Sequence, residues 1–283
     1  MAFEIYLKKN EEKRIVAGHS WVYANEVARI EGKDKNGSLA SVYSFDGKFI
    51  GKGYINHASK ILVRIFIRGN ETDDKQFYLD KISAAWNYRK KLGYGNCCRV
   101  VFAEADGLPA LIVDKYGDYL SVQCLSLGID MRKNMITECL AEIFSPKGIY
   151  ERSDVALRKK EGLQEVKQCL YGEVPDLAEI EENGLKMLVD IKNGQKTGYF
   201  LDQKENRFAA RRYAAGGEAL DCFCNSGGFT INCATVAKKV TACDISRPAL
   251  DSVIANAELN GLKNIDTVCG DAFALLRDFR REG

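Results

Sequence analysis

The chain has 283 residues, 46% of them apolar and 28% charged, with a formal net charge of +2. That balance is ordinary for a globular protein, the length accommodates two or three domains with at least one sizeable core, and a near-neutral total does not by itself indicate nucleic acid. No apolar run reaches transmembrane length, and the opening MAFEIYLKKNEEKR is charged where a secretory leader would be apolar, so neither a membrane partner nor export is expected.

Residues 1–70 read as mostly strand. In SLASVYSFDGKFIGKGYINHASKILVRIFI, β-branched and aromatic runs are cut by Asp-Gly and Gly-x-Gly turns, and FDGK is a hairpin signal. A small β-barrel or sandwich is expected here. The stretch carries 12 Lys and Arg against 7 Asp and Glu, a surplus that suits a polyanion-binding arm, with a plain solvated surface as the alternative. His19 and Trp21, in GHSW, are expected to pack at a strand entry.

From residue 71 the texture changes. DDKQFYLDKISAAWNYRKKLGY places apolar residues at 78, 82, 85 and 86, with basic residues near its end, the pattern of an amphipathic helix. ALIVDKYGDYLSVQCLSL gives strand-like runs around a Tyr-Gly-Asp turn, and MRKNMITECLAEIF is helix-like. Residues 71–185 are therefore expected to form a central α+β domain.

Residues 186–283 change pattern again. LKMLVDI alternates, DQKENRFAARRYAA looks helical, and EALDCF, KVTACD and IDTVCG are short strands of the buried type separated by helical segments. SRPALDSVIANAELNG is the clearest helix. Ser246 can cap it, Leu250, Val253, Ile254 and Ala257 fall on one face, and Asn260-Gly261 closes it. Strands alternating with helices in this way predict a parallel α/β sheet.

Ten cysteines occur without a C-x-x-C pair, and only two histidines accompany them, so no metal site is expected. Several cysteines lie in apolar runs, where they pack as small hydrophobes, and a reducing cytoplasm is the expected home.

LDCFCNSGGFT, residues 220–230, has the layout of a strand feeding a nucleotide-binding loop. It lacks the Lys of a phosphate-cradling Walker loop, and it lacks the glycine spacing that lets a pyrophosphate approach a helix. A nucleoside without phosphate remains, with Phe223, Asn225, Ser226, Gly227 and Gly228 passing close beneath it. Acids at the three strand ends support this. Asp244 is placed to accept ribose hydroxyls, Asp271 to reach an adenine amino group, and Asp221 to meet a cationic amine. Together they suit S-adenosylmethionine, although any one of them can equally be a helix cap or a solvated turn. Cys222 and Cys224, two apart, are expected on one side of an extended strand as packing residues.

With these motifs in view, GHSWVYANEV, EADGLPALIVDKYGD, GIYERSDVALRKKEGL and NGQKTGYFLDQKENR followed by LDCFCNSGGF resemble the class I S-adenosylmethionine-dependent 23S rRNA cytosine-5 methyltransferases that begin with a PUA domain. The resemblance runs through essentially the whole chain. It implies a PUA-like RNA-binding barrel over 1–70, a central α+β domain over 71–185, and part of a Rossmann-like methyltransferase sheet over 186–283. It also implies that Lys196, Thr197, Tyr199, Phe200 and Asp202 lie beside the cofactor, with Phe200 against the adenosine. Gln203, Asn206 and Arg207 follow at helical spacing. The implied partner is 23S ribosomal RNA.

The sequence departs from that family in one respect. A full domain of this type orders its strands 3-2-1-4-5-7-6, and only the first three are legible here. No Asp-Pro-Pro tripeptide and no Ser-Cys-Ser-type nucleophile motif occurs in the 283 residues. The catalytic residues are therefore unassigned, and the nucleophile is expected beyond Gly283. By itself the chain is expected to bind cofactor weakly or not at all, to lack turnover, and to self-associate or dimerise through an open sheet edge. An RNA guanine or tRNA methyltransferase and a non-catalytic RNA-binding protein are the alternatives.

Overall fold

Strand β1 (Phe3–Leu7) follows the two-residue alternation of a one-sided sheet: Phe3, Ile5 and Leu7 are buried, and Glu4 and Tyr6 face the other way. The computed structural model describes residues 2–282, and the chain divides into two compact units, Met1–Val174 and Pro175–Gly283.

In the first unit β1 leads through the short helix α1 (Glu12–Val16) to β2 (Trp21–Tyr23), β3 (Val27–Glu31), β4 (Leu39–Tyr43), β5 (Phe49–Ile55) and β6 (Ile61–Ile67). These strands form one sheet in the order β2-β6-β5-β4-β1-β3, antiparallel except for the β1–β4 pair. The FDGK hairpin is present: the Ser44 N–H donates to the Lys48 carbonyl at 2.9 Å, with Gly47 at φ +81°. Ile5, Leu7, Ile15, Val22, Val42, Ile55 and Val63 meet in a common core.

Helix α2 (Lys75–Lys91) starts at Asp74, whose side chain accepts from the Phe77 N–H at 3.0 Å, and it buries Phe77, Tyr78, Ile82 and Ala85. It packs with α3 (Leu127–Phe144) on a sheet of β7 (Cys97–Phe102), β8 (Leu111–Tyr116), β9 (Tyr119–Cys124), β10 (Gly148–Ser153) and β11 (Val166–Gly172), ordered β11-β10-β9-β8-β7. Helix α3 supplies the crossover that the parallel β9–β10 pair requires.

Three of the motifs that carried the resemblance converge around Arg64 in this unit. Arg64 Nη2 donates to Glu161 Oε1 at 2.7 Å, and Ser59 and Asn56 satisfy the same buried carboxylate at 2.6 and 2.9 Å. Glu104 lies 3.7 Å from Arg64 Nη1 and accepts from Trp21 Nε1 at 2.6 Å. Trp21 thus packs at the strand entry by a polar anchor, while His19 stays exposed, its Nδ1 facing the Trp21 N–H at 3.1 Å. A buried carboxylate needs such partners to avoid its desolvation cost.

The second unit opens with a hairpin of β12 (Ala178–Glu182) and β13 (Leu185–Val189). Its two-residue turn, Asn183-Gly184, has φ +55° and +75°, the left-handed pair that matches strand twist. Helix α4 (Lys204–Ala214), β14 (Glu218–Cys222), α5 (Gly228–Ala234), β15 (Lys239–Asp244), α6 (Arg247–Leu259), β16 (Ile265–Cys269) and α7 (Ala272–Glu282) then alternate, and the three strands are parallel in the order β14-β15-β16. Among the described residues β14 pairs with β15 alone.

Ser246 caps α6, accepting from the Ala249 N–H at 3.4 Å. One residue of its anticipated face is corrected. Leu250, Val253 and Ala257 are buried, but Ile254 is 42% exposed and Asn256 takes the inward position. Asn256 earns burial through its hydrogen bonds: Oδ1 accepts from the Leu188 N–H at 2.7 Å, and Nδ2 donates to the Ser226 carbonyl at 3.0 Å.

Candidate cofactor site

Strand β14 ends at Cys222, and the chain turns sharply into the loop. Phe223 and Asn225 adopt φ +60° and +51°, and Gly227 φ +82°. A bulky residue in the left-handed region is strained unless its surroundings hold it. Asp244, at the end of β15, is the clamp: Oδ2 accepts from the Asn225 N–H and Oδ1 from the Ser246 N–H, each at 2.9 Å. One carboxylate therefore ties the turn after β14 to the turn after β15. The expected alternation of Cys222 and Cys224 fails at this turn, because Phe223 breaks the extended geometry between them; Cys224 is buried in the loop, its N–H on the Cys243 carbonyl at 3.1 Å.

The paired glycines are required by space. A Cβ at Gly227 would come within 2.9 Å of Val253, and one at Gly228 within 2.7 Å of Tyr199 Oη and 2.9 Å of Arg207 Cδ.

Loop and lead-in segment close on a cleft of about 610 Å³. Of the residues anticipated from sequence it brings together Lys196, Tyr199, Phe200, Asp202, Phe223, Asn225, Ser226, Gly228 and Asp244, together with Gln203 and Arg207. Lys196 Nζ sits 4.4 Å from the Phe200 ring centroid and bonds both oxygens of Asp202, at 2.8 and 3.0 Å. That ammonium holds the Asp202 carboxyl below the usual carboxylate range. Gln195, Asn225, Ser226 and Asp244 also border an adjoining hollow at the start of α6, so Asp244 stands between the two.

Five anticipated residues do not line the cleft, among them Asn206, whose Nδ2 donates to Gln203 Oε1 at 3.0 Å. Thr197 is buried, and Gly227 supports the loop from its α6 side. Asp221 points to a separate hollow beside α4, β14 and α5, and its Oδ2 accepts from the Thr230 N–H at 2.9 Å and from Thr230 Oγ1 at 2.6 Å. Burial pushes its carboxyl up, with the Thr230 bonds working against that rise. Asp271 caps the first turn of α7, accepting from the Ala274 N–H at 2.8 Å.

Sequence reading named Arg207 but missed the carboxylate that holds it behind the cleft. Arg207 makes a bidentate pair with Glu182 on β12, both bonds 2.7 Å and both side chains buried. Its guanidinium also lies 4.3 Å from the Tyr199 ring centroid. Glu182 gave no signal, because alternation on a short strand cannot distinguish a solvated acid from a paired one.

The loop cysteine is not poised for chemistry. Burial, reinforced by the Asp221 and Asp244 charges, pushes the Cys224 thiol up to about 12, and burial raises Cys243 as well. Alkylation of the native protein at pH 8 is expected to mark the exposed Cys169 and Cys269 first and to spare Cys224 until denaturant is added, as read by peptide mass mapping. Native-state labelling of Cys224 at the rate of Cys169 would contradict this.

Residues 5–68 match the model of a PUA-like domain, and residues 151–280 match that of an S-adenosylmethionine-dependent methyltransferase. Ribosomal RNA large subunit methyltransferase I of Aeromonas hydrophila is 41% identical over 100% of this chain and 74% of its own length. The chain belongs to the ribosomal RNA large subunit methyltransferase I family. The protein of that name from Vibrio cholerae is likewise 41% identical, over 99% of this chain and 72% of its own length. This family membership makes the chain a methyltransferase whose cofactor is S-adenosylmethionine. Two solved structures, provisionally described as methyltransferases, share the fold at 21% identity. One, from Streptococcus mutans, aligns with a TM-score of 0.81 over 100% of this chain and 74% of its own; the other, complexed with SAH, aligns at 0.83 over 100% and 73%.

The donor set fits the cofactor. The cleft offers a strand-end carboxylate for a diol, aromatic rings at Phe200 and Phe223, and a loop whose glycines leave no room for a Cβ.

Proposed function

We propose that the 195–203 segment and the 223–228 loop hold S-adenosylmethionine for methylation of large-subunit ribosomal RNA, at carbon 5 of a cytosine in 23S RNA. The observation that carries the site is Asp244, which borders the cleft while both its oxygens fix the loops beside it. In this reading Asp244 receives the ribose and Phe200 lies along the adenosine, while Asp221 acts through Thr230 of α5 and Asp271 through the α7 cap. The domain division 1–70, 71–185 and 186–283 is part of the same proposal, as is a cytoplasmic location; among the described residues no helix is long and apolar enough to cross a membrane.

Carbon 5 of cytosine is a poor nucleophile. A thiolate must add to carbon 6, the resulting enamine takes the methyl group, and a base then removes the carbon-5 proton so that the thiolate can leave. That thiolate must lie across the base from the methyl donor. Cys222, Cys224 and Cys243 belong to the cofactor-side strands and their ends, and two of them are buried thiols. We assign the nucleophile to none of them and expect these 283 residues alone to complete no methyl transfer. Equilibrium dialysis with labelled S-adenosylmethionine tests the site, and methyl incorporation into 23S RNA tests the reaction. Turnover by the 283 residues with Cys224 essential would overturn the assignment.

The PUA-like part, with its basic surplus, is expected to hold structured RNA mainly through phosphates. Its affinity should then fall steeply between about 50 and 200 mM salt as bound counterions are released. Filter binding across that range checks this, and salt-independent binding would contradict a phosphate-dominated contact.

A further inference from the structure

Among the described residues β13 has a strand partner on one side only, β12. On its other side two asparagines of α6 and its C-terminal cap meet the backbone. Asn256 Oδ1 accepts from the Leu188 N–H at 2.7 Å. Asn260 Oδ1 accepts from the Lys186 N–H at 3.0 Å, and its Nδ2 donates to the Lys186 carbonyl at 2.7 Å. Four residues of helix advance about 6 Å and two residues of strand about 6.6 Å, so amides four apart on α6 meet alternate residues of one strand edge. The two side chains thereby stand in for a third strand, on an edge whose polar groups need partners.

The two amides differ in what else they hold. Asn260 Nδ2 also turns back to the Asn256 carbonyl of its own helix, at 2.7 Å. Asn256 Nδ2 instead crosses to the cofactor loop and donates to the Ser226 carbonyl at 3.0 Å. Ser226 lies between Asn225 and Gly227, both left-handed, at φ +51° and +82°. One turn earlier on α6, Val253 presses on the same loop and leaves no room for a Cβ at Gly227. Asp244 thus holds the loop by an N–H and Asn256 holds it by a carbonyl. Asn256 is fully buried between Val253 and Ala257 on the apolar face of α6. Asparagine is a poor helix former, and its amide is costly to bury unless both ends are matched; an aliphatic side chain would serve the packing of α6 alone.

We propose that Asn256 is a positioning residue for S-adenosylmethionine: it fixes the Ser226 peptide against the edge of β13 and so holds the 223–228 loop in the shape that takes the cofactor. The proposal rests on the reading of that loop as the cofactor's, and adds the group that sets its conformation from behind. Asn256 does not line the cleft; it acts through Ser226, which does. Asn260 shares the strand contact and lacks the loop contact, so it separates docking of the hairpin from shaping of the loop.

Asn256→Asp and Asn260→Asp form a matched pair. Each is isosteric, keeps the acceptor for β13 and loses the amide donor, in one case to the loop and in the other to the strand. Asn256→Ala removes the same loop donor without burying a charge, and reads the same contact should the Asp variant fail to fold. Site-resolved hydrogen exchange of the ligand-free 283-residue chain is the first measurement. The N–H groups of Cys224, Asn225 and Gly227, bonded to Cys243, Asp244 and Cys224, are expected to exchange about fivefold to over a hundredfold faster in both Asn256 variants, the factor for leaving a buried polar group unmatched. Asn260→Asp should leave them at parental rates. Equilibrium dialysis with labelled S-adenosylmethionine, at a temperature where every variant is folded, is the second. Affinity is expected to fall by a similar factor in the Asn256 variants and to stay parental in Asn260→Asp, whereas a purely structural asparagine would move the two Asp variants together. Parental loop exchange in both Asn256 variants overturns the proposal and leaves the cofactor reading intact, as does a loosened loop with parental affinity. Equal losses of affinity in Asn256→Asp and Asn260→Asp overturn it in favour of hairpin docking. Absence of S-adenosylmethionine binding by the parent chain overturns the cofactor reading and the proposal with it.

Discussion

Replacing Asp244 with Ala is expected to lower S-adenosylmethionine affinity by roughly ten- to over a hundredfold, the equivalent of one lost charge-assisted hydrogen-bonding group at about 1.5–3 kcal/mol. Two effects add. The carboxylate proposed to receive the ribose disappears, and the N–H groups of Asn225 and Ser246 lose their acceptor. The second effect matters because Phe223 and Asn225 hold left-handed conformations that the clamp helps to maintain. Asp244→Asn separates the contributions. An amide keeps one acceptor oxygen but presents an NH₂ to the other N–H, so the clamp fails on one side while the volume is unchanged. Equilibrium dialysis should rank affinity as parent, then Asn, then Ala, with Cys224→Ser close to parent. If Cys224→Ser costs more than Asp244→Ala, the site is wrongly built around Asp244.

The same loop shows what could be read in advance. The three strands, the Ser246 cap and the FDGK hairpin were legible because each depends on neighbours in sequence: an apolar run, a hydroxyl before a helix, an Asp-Gly turn. Asp244 was legible because a strand end followed by a capped helix fixes its place at the sheet's edge. Ile254 and Asn256 were not. The apolar periodicity of α6 favoured Ile254, and the preference for Asn256 arises from backbone groups of β13 and the loop, Leu188 and Ser226, that lie far away in sequence. Asp221 and Asp271 were anticipated as ligand groups, and the structure commits them to Thr230 and the first turn of α7. An acid at a strand end has the same sequence signature whether it meets a ligand, a cap or a hydroxyl; only geometry separates these roles.

Glu182→Ala is expected to destabilise the second unit by about 3–5 kcal/mol, the cost of leaving a buried guanidinium without its carboxylate. Arg207 is 2% exposed and Glu182 is equally buried, so water cannot replace the lost partner. Removing both charges should cost much less. In Glu182→Leu with Arg207→Met, neither ion needs desolvation and the volume is largely retained, so most of the stability should return. Hydrogen exchange over residues 175–282 measures this without requiring the whole chain to unfold in one step. A single variant within about 1 kcal/mol of parent, or a double variant no better than the single, would show that the pair is not a desolvated unit. Stability and binding should then diverge. The double variant restores the fold but removes the guanidinium that lies over Tyr199 and meets Gly228 at the wall of the cleft. Its S-adenosylmethionine affinity should stay below parental at temperatures where both proteins are fully folded. That separation would mark Arg207 as a residue that positions the cofactor loop, held in place by a carboxylate on a strand that the loop's own sequence does not reveal.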